Sequence, residues 1–194
     1  MKLYYAPGAC SLADHIALHE AGIEFEREKV DLRAKKTETG VEFATIAPKG
    51  YVPALVLDSG ELLSENIAIL DWVADQAPQL KPVGPMARTH LLEALAFIST
   101  EVHKSFKPFF GGGSDEDKSK AGALIAKRLE YLAGTMQGNY LFGSEVSVAD
   151  CYLFVMLLWA GKFELEVPHS LSLFRDRMMA REAVTTAMRH EGLI

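Results

Sequence analysis

The chain has 194 residues, 49% of them hydrophobic and 24% charged, a composition typical of a globular protein with one or two domains. No apolar stretch approaches the ~18 residues that a membrane span needs, and the first residues show no signal-peptide pattern. The net charge of −6, without a basic block, argues against nucleic-acid binding. Cys10 and Cys151 are the two cysteines, and they stand far apart in unlike contexts. We therefore expect free thiols in a reducing cytoplasm, with no disulfide framework.

The first eleven residues, MKLYYAPGACS, combine an apolar run, a Pro-Gly turn and the start of a helical pattern. This order predicts a strand, a tight turn and a helix. Cys10 and Ser11 then lie at the helix start, where free backbone N–H groups and the helix dipole favour an anion. A thiol placed there should have a lowered pKa and be partly thiolate. The alternative is a small buried cysteine near a turn.

The elements predicted up to residue 78 alternate between helices and strands and end in a hairpin. In chain order they are a helix from residue 12, an exposed or edge strand over 24–31, a loop over 32–39, a short helix over 40–47, strands over 54–58 and 61–63, and a helix from 64 that ends before Pro78. This order predicts a mixed sheet covered by helices. Residues 1–78 hold seven Lys/Arg against thirteen Asp/Glu, whereas residues 79–194 hold thirteen of each. An anionic ligand in the N-terminal half would therefore need local positive groups.

After a Pro- and Gly-rich linker over 79–85, only helical patterns stand out. The predicted helices cover residues 86–106, 114–136, 147–160, 171–181 and 183–190. Ser114 is expected to cap the second of these helices, and Ser147 with Asp150 forms a capping-box-like start of the third. The third helix is apolar nearly all round, which predicts a central, buried helix with Cys151 in the core.

Six segments in this order resemble the glutathione S-transferases, specifically their bacterial beta class. The segments are the start MKLYYAPGACSL, the loop DLRAKKTE, the turn KGYVPAL, the segment LSENIAIL, the run EVHK and the cap SVAD. The resemblance implies a thioredoxin-like N-terminal domain over 1–78 and an all-helical domain over 85–194. It also implies a cytoplasmic homodimer with glutathione bound between the two domains as co-substrate.

The resemblance also implies a set of glutathione-binding residues in the N-terminal half. Cys10 belongs to this set, and Lys35 is expected to bind the glycyl carboxylate. Val52 and Pro53 are expected to form a cis peptide, and the Val52 backbone to pair with the tripeptide. Glu65 and Asn66 are expected to bind the γ-glutamyl group. The family often has Ser in place of Asn66, so the contact of this amide is open. Alternatives remain for each position: a solvated loop lysine, an ordinary trans proline and a plain helix cap.

On the long helix, Thr100, His103 and Lys107 share a polar stripe by i+3 and i+4 spacing. His103 and Lys104 match the family's pair that faces the thiol, where a cation would lower the thiol pKa. Together with Cys10 and Ser11 they complete the expected catalytic set, and Thr100 joins the glutathione contacts. The alternative is a solvated helix face.

These residues predict an enzyme that attaches the glutathione sulfur to a small hydrophobic electrophile, with no metal, nucleic-acid or membrane partner. The electrophile pocket is expected to be built from Phe106, Phe109, Phe110 and Trp159. A thiol–disulfide exchanger or peroxidase-like enzyme that uses Cys10 is the first alternative, because a lone cysteine suits monothiol exchange. A non-catalytic ligand-binding protein of the same fold is the second. A glutathione-dependent isomerase is a further possibility, although the Ser-rich, Arg-containing first-helix motif of that branch is absent.

Overall fold

The computed structural model describes residues 1–194 and divides into two compact units. The first unit comprises Met1–Pro78 together with Ala180–Ile194, and the second comprises Gln79–Met179. The sequence-based division placed all of residues 85–194 in the helical domain, whereas residues 180–194 group with the N-terminal unit. The reason is the packing of helix α8 (Glu182–His190) against helix α1 (Leu12–Glu20) within that unit.

The N-terminal unit is built on a five-stranded sheet in the order β3-β2-β1-β4-β5. The strands are β1 (Lys2–Tyr5), β2 (Glu26–Asp31), β3 (Lys36–Thr37), β4 (Ala54–Val56) and β5 (Leu62–Ser64). β1 and β2 are parallel and are joined by α1, while the other pairs are antiparallel. This confirms the predicted mixed, thioredoxin-like sheet. β3 was missed because a two-residue strand inside a polar loop has no periodic pattern, so β2 is not the edge strand.

One face of this sheet packs on a compact apolar cluster. Its buried members include Tyr4, Val30, Phe43, Val52 and Ala54. Phe43 begins a 3₁₀ turn, Phe43–Thr45, where a short helix was predicted. Helix α2 (Asn66–Gln76) follows β5, as expected.

The second unit is helical throughout. Its helices are α3 (Ala87–Phe97), α4 (Lys107–Phe110), α5 (Asp115–Thr135), α6 (Val148–Lys162) and α7 (His169–Met179). Almost every residue of α6 is buried, and Cys151 is fully buried, which confirms the predicted central helix. No helix of the structure combines the length and the apolar character that crossing a membrane requires.

The long helix predicted over 86–106 is interrupted. After α3 the chain makes a π-helical turn, Ile98–Val102, and then a 3₁₀ turn, His103–Phe106. The Thr100 and Ser105 hydroxyls donate back to the carbonyls four residues earlier, at 2.9 Å and 2.8 Å, a contact that bends helices. Pro108 has no N–H to continue the ladder. The predicted stripe of Thr100, His103 and Lys107 assumed a regular α-helix, and this segment is not one.

Two helices of this unit begin with a capping box. At α5 the Ser114 hydroxyl accepts from the Asp117 N–H at 3.2 Å, and Asp117 accepts from the Ser114 N–H at 3.1 Å. At α6, Asp150 accepts from the Ser147 N–H at 2.8 Å, from the Ser147 hydroxyl at 2.6 Å, and from the Leu141 N–H at 2.8 Å. Both predicted caps are confirmed. The first box is solvent-exposed and the second is buried.

Candidate functional site

The turn between β1 and α1 positions Cys10. Gly8 adopts φ +67°, a left-handed conformation that favours glycine. Ser11 is fully buried, and its hydroxyl accepts from the Ala6 N–H at 3.2 Å and donates to the Ala6 carbonyl at 3.4 Å. These contacts close the turn, so the structure gives Ser11 a role in holding Cys10 in place rather than an accessible hydroxyl.

The Cys10 thiol is partly buried and donates to the Val52 carbonyl, with 3.6 Å between sulfur and oxygen. Burial raises the pKa of this thiol to about 12, aided by the Asp14 carboxyl, while the backbone N–H groups of Cys10 and Ser11 act in the opposite direction. Burial also raises the pKa of Asp14 well above its usual range. The predicted lowering of the Cys10 pKa was wrong, because removal from water outweighs the helix-start donors.

The Val52–Pro53 peptide is cis, as the resemblance implies. Both residues are buried and lead directly into β4. The Val52 carbonyl, expected to pair with a bound tripeptide, accepts the Cys10 thiol in this structure. Cys10 and the Val52 backbone are therefore adjacent, which brings two of the predicted contacts together.

At the start of α2, Glu65 adopts φ +77°, an uncommon conformation for a residue with a side chain. Its Oε1 accepts from the Lys49 ammonium at 2.6 Å and from the Tyr51 hydroxyl at 2.7 Å. The Asn66 amide donates to the Cys10 carbonyl at 3.0 Å. The amide thus ties α2 to the Cys10 turn, and the expected contact of Asn66 with the γ-glutamyl carboxylate stays a prediction.

Lys35 also has a positive φ, +58°, and its exposed ammonium donates to the Gly50 carbonyl at 3.1 Å. Backbone conformations of this kind cluster at functional sites. Sequence reasoning missed Lys49 and Tyr51 as members of this polar group. Both residues lie in the segment KGYVPAL, which carries part of the family resemblance, and this position could have indicated them. Lys49 was assigned only to a turn.

The three residues predicted on the second unit occupy unlike environments. Thr100 and Lys104 are exposed, whereas His103 is partly buried. The His103 Nδ1 lies 2.6 Å from the Tyr152 hydroxyl, and the ring packs edge-on against Trp159 at 4.9 Å between centroids. Burial, together with the charge of Lys104, lowers the pKa of His103 to about 4. The imidazole is therefore neutral at pH 7, and Lys104 is the cation of this pair.

A cavity of about 560 Å³ opens beside these residues within the helical unit. Its lining comprises His103, Lys104, Phe106, Lys107, Phe110, Gly111 and Trp159. Phe109 is not part of the lining, and it packs against Phe106 and Phe163 instead. Three of the four aromatic residues expected in an electrophile pocket thus face one cavity.

Comparisons with known proteins show which family the chain belongs to. The family model described as glutathione S-transferase, N-terminal domain matches residues 9–76, and that described as glutathione S-transferase, C-terminal domain matches residues 90–182. The chain is 41% identical to the glutathione S-transferase GstA of Escherichia coli, with both chains covered completely. The chain belongs to the glutathione S-transferase family. A glutathione S-transferase of Xanthomonas campestris is 36% identical over the full length of both chains.

Solved structures place the chain near the bacterial beta class of these transferases. A sphingomonad glutathione S-transferase complexed with glutathione superposes with a TM-score of 0.92 at 45% identity, covering all of both chains. A beta class transferase of Sphingomonas chungbukensis gives 0.90 at 44% identity, again over the whole of both chains. The predicted family, class and two-domain transferase fold are confirmed.

Proposed function

We propose that this glutathione S-transferase joins the sulfur of glutathione to a small, apolar electrophile. The full-length similarity to named transferases supports the reaction class. The aromatic cavity of the helical unit supports an apolar second substrate, because its walls offer three aromatic rings, from Phe106, Phe110 and Trp159.

The observation that carries this proposal is the state of Cys10. Its thiol keeps its proton at neutral pH and donates it in a hydrogen bond to the Val52 carbonyl. A protonated thiol is a poor nucleophile but can donate to an anion. The reacting nucleophile is then the glutathione sulfur, whose proton passes to solvent. The sulfur forms the new C–S bond, the leaving group departs with the electrons of its own bond, and Cys10 donates to the thiolate beforehand.

The N-terminal unit supplies the proposed anchors for the tripeptide. Lys35 and Lys49 are cations in an otherwise acidic half of the chain, and either can attract a carboxylate. The Glu65 carboxylate already accepts an ammonium, that of Lys49, which is the chemistry that binding the γ-glutamyl ammonium requires. The Val52 backbone and Pro53 flank Cys10 and complete the proposed contacts, while Asn66 acts through the Cys10 turn.

In the helical unit we propose that Thr100, His103 and Lys104 act on glutathione, as the resemblance implies. Lys104 supplies the positive charge, because His103 is neutral at pH 7. The Tyr152 hydroxyl fixes the His103 ring and thereby sets which nitrogen is left to interact with a ligand.

The proposal extends to a homodimer in the cytoplasm. The resemblance supports the dimer, and the two free cysteines support a reducing compartment. Light scattering at micromolar concentration should give the mass of two chains, and a single-chain mass would contradict the dimer.

The decisive experiment compares the wild-type enzyme with Cys10→Ala in two assays on the same preparations. One assay follows conjugation of glutathione to an activated chloronitrobenzene, and the other follows glutathione-dependent reduction of a small disulfide. Conjugation should persist at least in part in Cys10→Ala, because the nucleophile belongs to glutathione. Loss of all conjugation with intact glutathione binding would show that Cys10 takes part directly. Strong disulfide reduction by the wild type without conjugation would favour the exchanger.

A further inference from the structure

The contact between α1 and α8 brings three histidines together inside the N-terminal unit, and none of them belongs to the set of residues assigned above. His15 and His19 are four residues apart and share one face of α1, and His190 is the last residue of α8. Their ring centroids are separated by 5.2 Å, 5.6 Å and 5.4 Å. One nitrogen of each ring lies within 4.8 Å of one nitrogen of each other ring.

These rings carry buried nitrogens that lack hydrogen-bond partners. The atoms are Nε2 of His15, Nε2 of His19 and Nδ1 of His190. A buried polar atom without a partner is destabilising, and three in one cluster call for a common explanation. Imidazole nitrogens are preferred ligands of Zn²⁺ and related transition metals. We propose that His15, His19 and His190 bind one divalent transition-metal ion of the Zn²⁺ type.

A carboxylate behind the cluster completes the arrangement. The Nδ1 of His15 lies 2.9 Å from Glu191 Oε1, and both side chains are fully buried. The other oxygen of Glu191 accepts from the Gly8 N–H at 2.8 Å, which fixes the carboxylate. Histidines that bind metals commonly donate their second nitrogen to such a carboxylate, which directs the remaining nitrogen toward the ion. Here the remaining nitrogen of His15 is one of the unpartnered atoms.

The geometry requires only a modest closing of the cluster. Tetrahedral coordination with Zn–N bonds of ~2.0–2.1 Å places the ligand nitrogens roughly 3.3 Å apart. The present separations reach up to 4.8 Å, and we expect rotation of the side chains to close the difference. His19 and His190 are only partly buried and have the freedom to rotate. Three imidazoles leave a fourth position on the ion for water.

Charge and access also bear on the site. The positive charge of Arg27 acts on all three histidines and opposes a cation there. Glu26 and Glu38 line the adjoining cavity, and their carboxylates offset that charge. That cavity, of about 630 Å³, reaches His190, and a second of about 680 Å³ reaches His19. An ion can therefore enter from solvent.

The test uses full-length, tag-free protein, stripped of metal and kept free of glutathione, which itself binds zinc. ZnCl₂ is added in equilibrium dialysis, and bound metal is counted by elemental analysis. The wild type and Cys10→Ala should each bind one ion per chain. His19→Gln and His190→Asn should each lower the affinity at least tenfold while keeping the wild-type circular dichroism. The matched control is His90→Gln, which alters an exposed histidine outside the cluster and should bind as the wild type does.

Three results would overturn the assignment. The first is less than one bound ion per chain at metal concentrations well above that of the protein. The second is unchanged affinity in the double variant His19→Gln/His190→Asn. The third is a thiolate charge-transfer band on CoCl₂ addition that vanishes in Cys10→Ala, which would place the ion on the cysteine. The expected Co²⁺ spectrum shows d–d bands that survive in Cys10→Ala and are lost in the double variant.

Discussion

The two capping boxes of the helical unit use the same side chains at the same spacing, yet their carboxyl groups respond in opposite directions. At the exposed box, hydrogen bonds from Ser114 hold the pKa of Asp117 below its usual range. At the buried box, burial raises the pKa of Asp150 to about 6, despite hydrogen bonds from Ser147 and Leu141. The difference shows that depth below the surface, and not the set of donors alone, decides the sign of such a shift.

The pKa of Cys10 is raised by burial, like that of Asp150 in the buried box. The sequence context of Cys10 supplies the donors of a helix start, and two backbone N–H groups do lower its pKa. Burial is the larger effect and raises the pKa to about 12. A motif read from sequence specifies which groups are neighbours in the chain, but it does not specify how much water remains around them.

The largest expected effect is the loss of the buried box. Asp150→Ala leaves the Ser147 and Leu141 N–H groups buried without their acceptor, which should cost about 4 kcal/mol of unfolding free energy at ~1–3 kcal/mol for each group. Urea unfolding followed by circular dichroism measures this loss. Asp117→Ala is the matched control in the exposed box, and its effect should be several-fold smaller because water replaces the lost contacts. Equal losses in the two variants would contradict the role given to burial.

The pH dependence of stability should also follow Asp150. Its pKa of about 6 in the folded protein exceeds the value of 3.8 taken for the free group, so the folded state binds the proton more tightly. The contribution of Asp150 to stability is therefore full below pH ~4 and is lost as the pH rises to about 6, a change of roughly 3 kcal/mol. The difference in unfolding free energy between the wild type and Asp150→Asn, measured by urea unfolding at each pH, isolates the contribution of the Asp150 carboxyl. A difference that stays constant between pH 4 and 6 would show that the carboxyl pKa is not raised.

The rate of alkylation of Cys10 tests whether burial raises the pKa of its thiol. With its pKa raised, the thiol should react with iodoacetamide at least tenfold more slowly at pH 7 than a small-molecule thiol of pKa ~8.5. The rate should continue to rise through pH 9 without a plateau. Cys10→Ala provides the background from Cys151, which is fully buried. A plateau with a midpoint below pH 8.5 would instead support the lowered pKa expected from the sequence.

Exposed charges should matter for glutathione rather than for folding. Lys35→Ala or Glu65→Gln should weaken glutathione binding by ~1–3 kcal/mol, the range for a lost charge-assisted hydrogen bond. Neither change should alter the urea midpoint appreciably, since surface ion pairs contribute little to stability. Isothermal titration calorimetry gives the affinities. Unchanged affinity in both single variants would mean that the tripeptide binds elsewhere.

Much of the fold could be predicted, because periodic patterns and turns determine local structure. The strand–turn–helix start, the hairpin after β4 and the buried α6 all follow from such signals. Features that depend on long-range contacts could not be predicted in this way. The short strand β3 forms by pairing with β2. Helix α8 packs on α1, although the whole helical unit separates the two in the sequence.

The candidate site divides in the same manner. The contacts of the candidate residues with glutathione stay predictions. Cys10 could be selected from its position at a helix start, and Lys35 and Glu65 could be selected through the family resemblance of the segments that carry them. The partners of these residues could not. Neither the contact of Asn66 with the Cys10 carbonyl nor the neutral state of His103 follows from local pattern, because both depend on which groups tertiary packing buries.

The return of residues 180–194 to the N-terminal unit has a consequence for biosynthesis. Glu191 accepts from the Gly8 N–H, so the turn at Gly8 depends on a residue that is translated only after the whole helical unit. The helical unit, whose residues are contiguous, can fold while translation continues. The N-terminal unit should remain incomplete during that interval, and a nascent chain arrested before residue 180 should expose its unfinished α1 surface to proteases and chaperones.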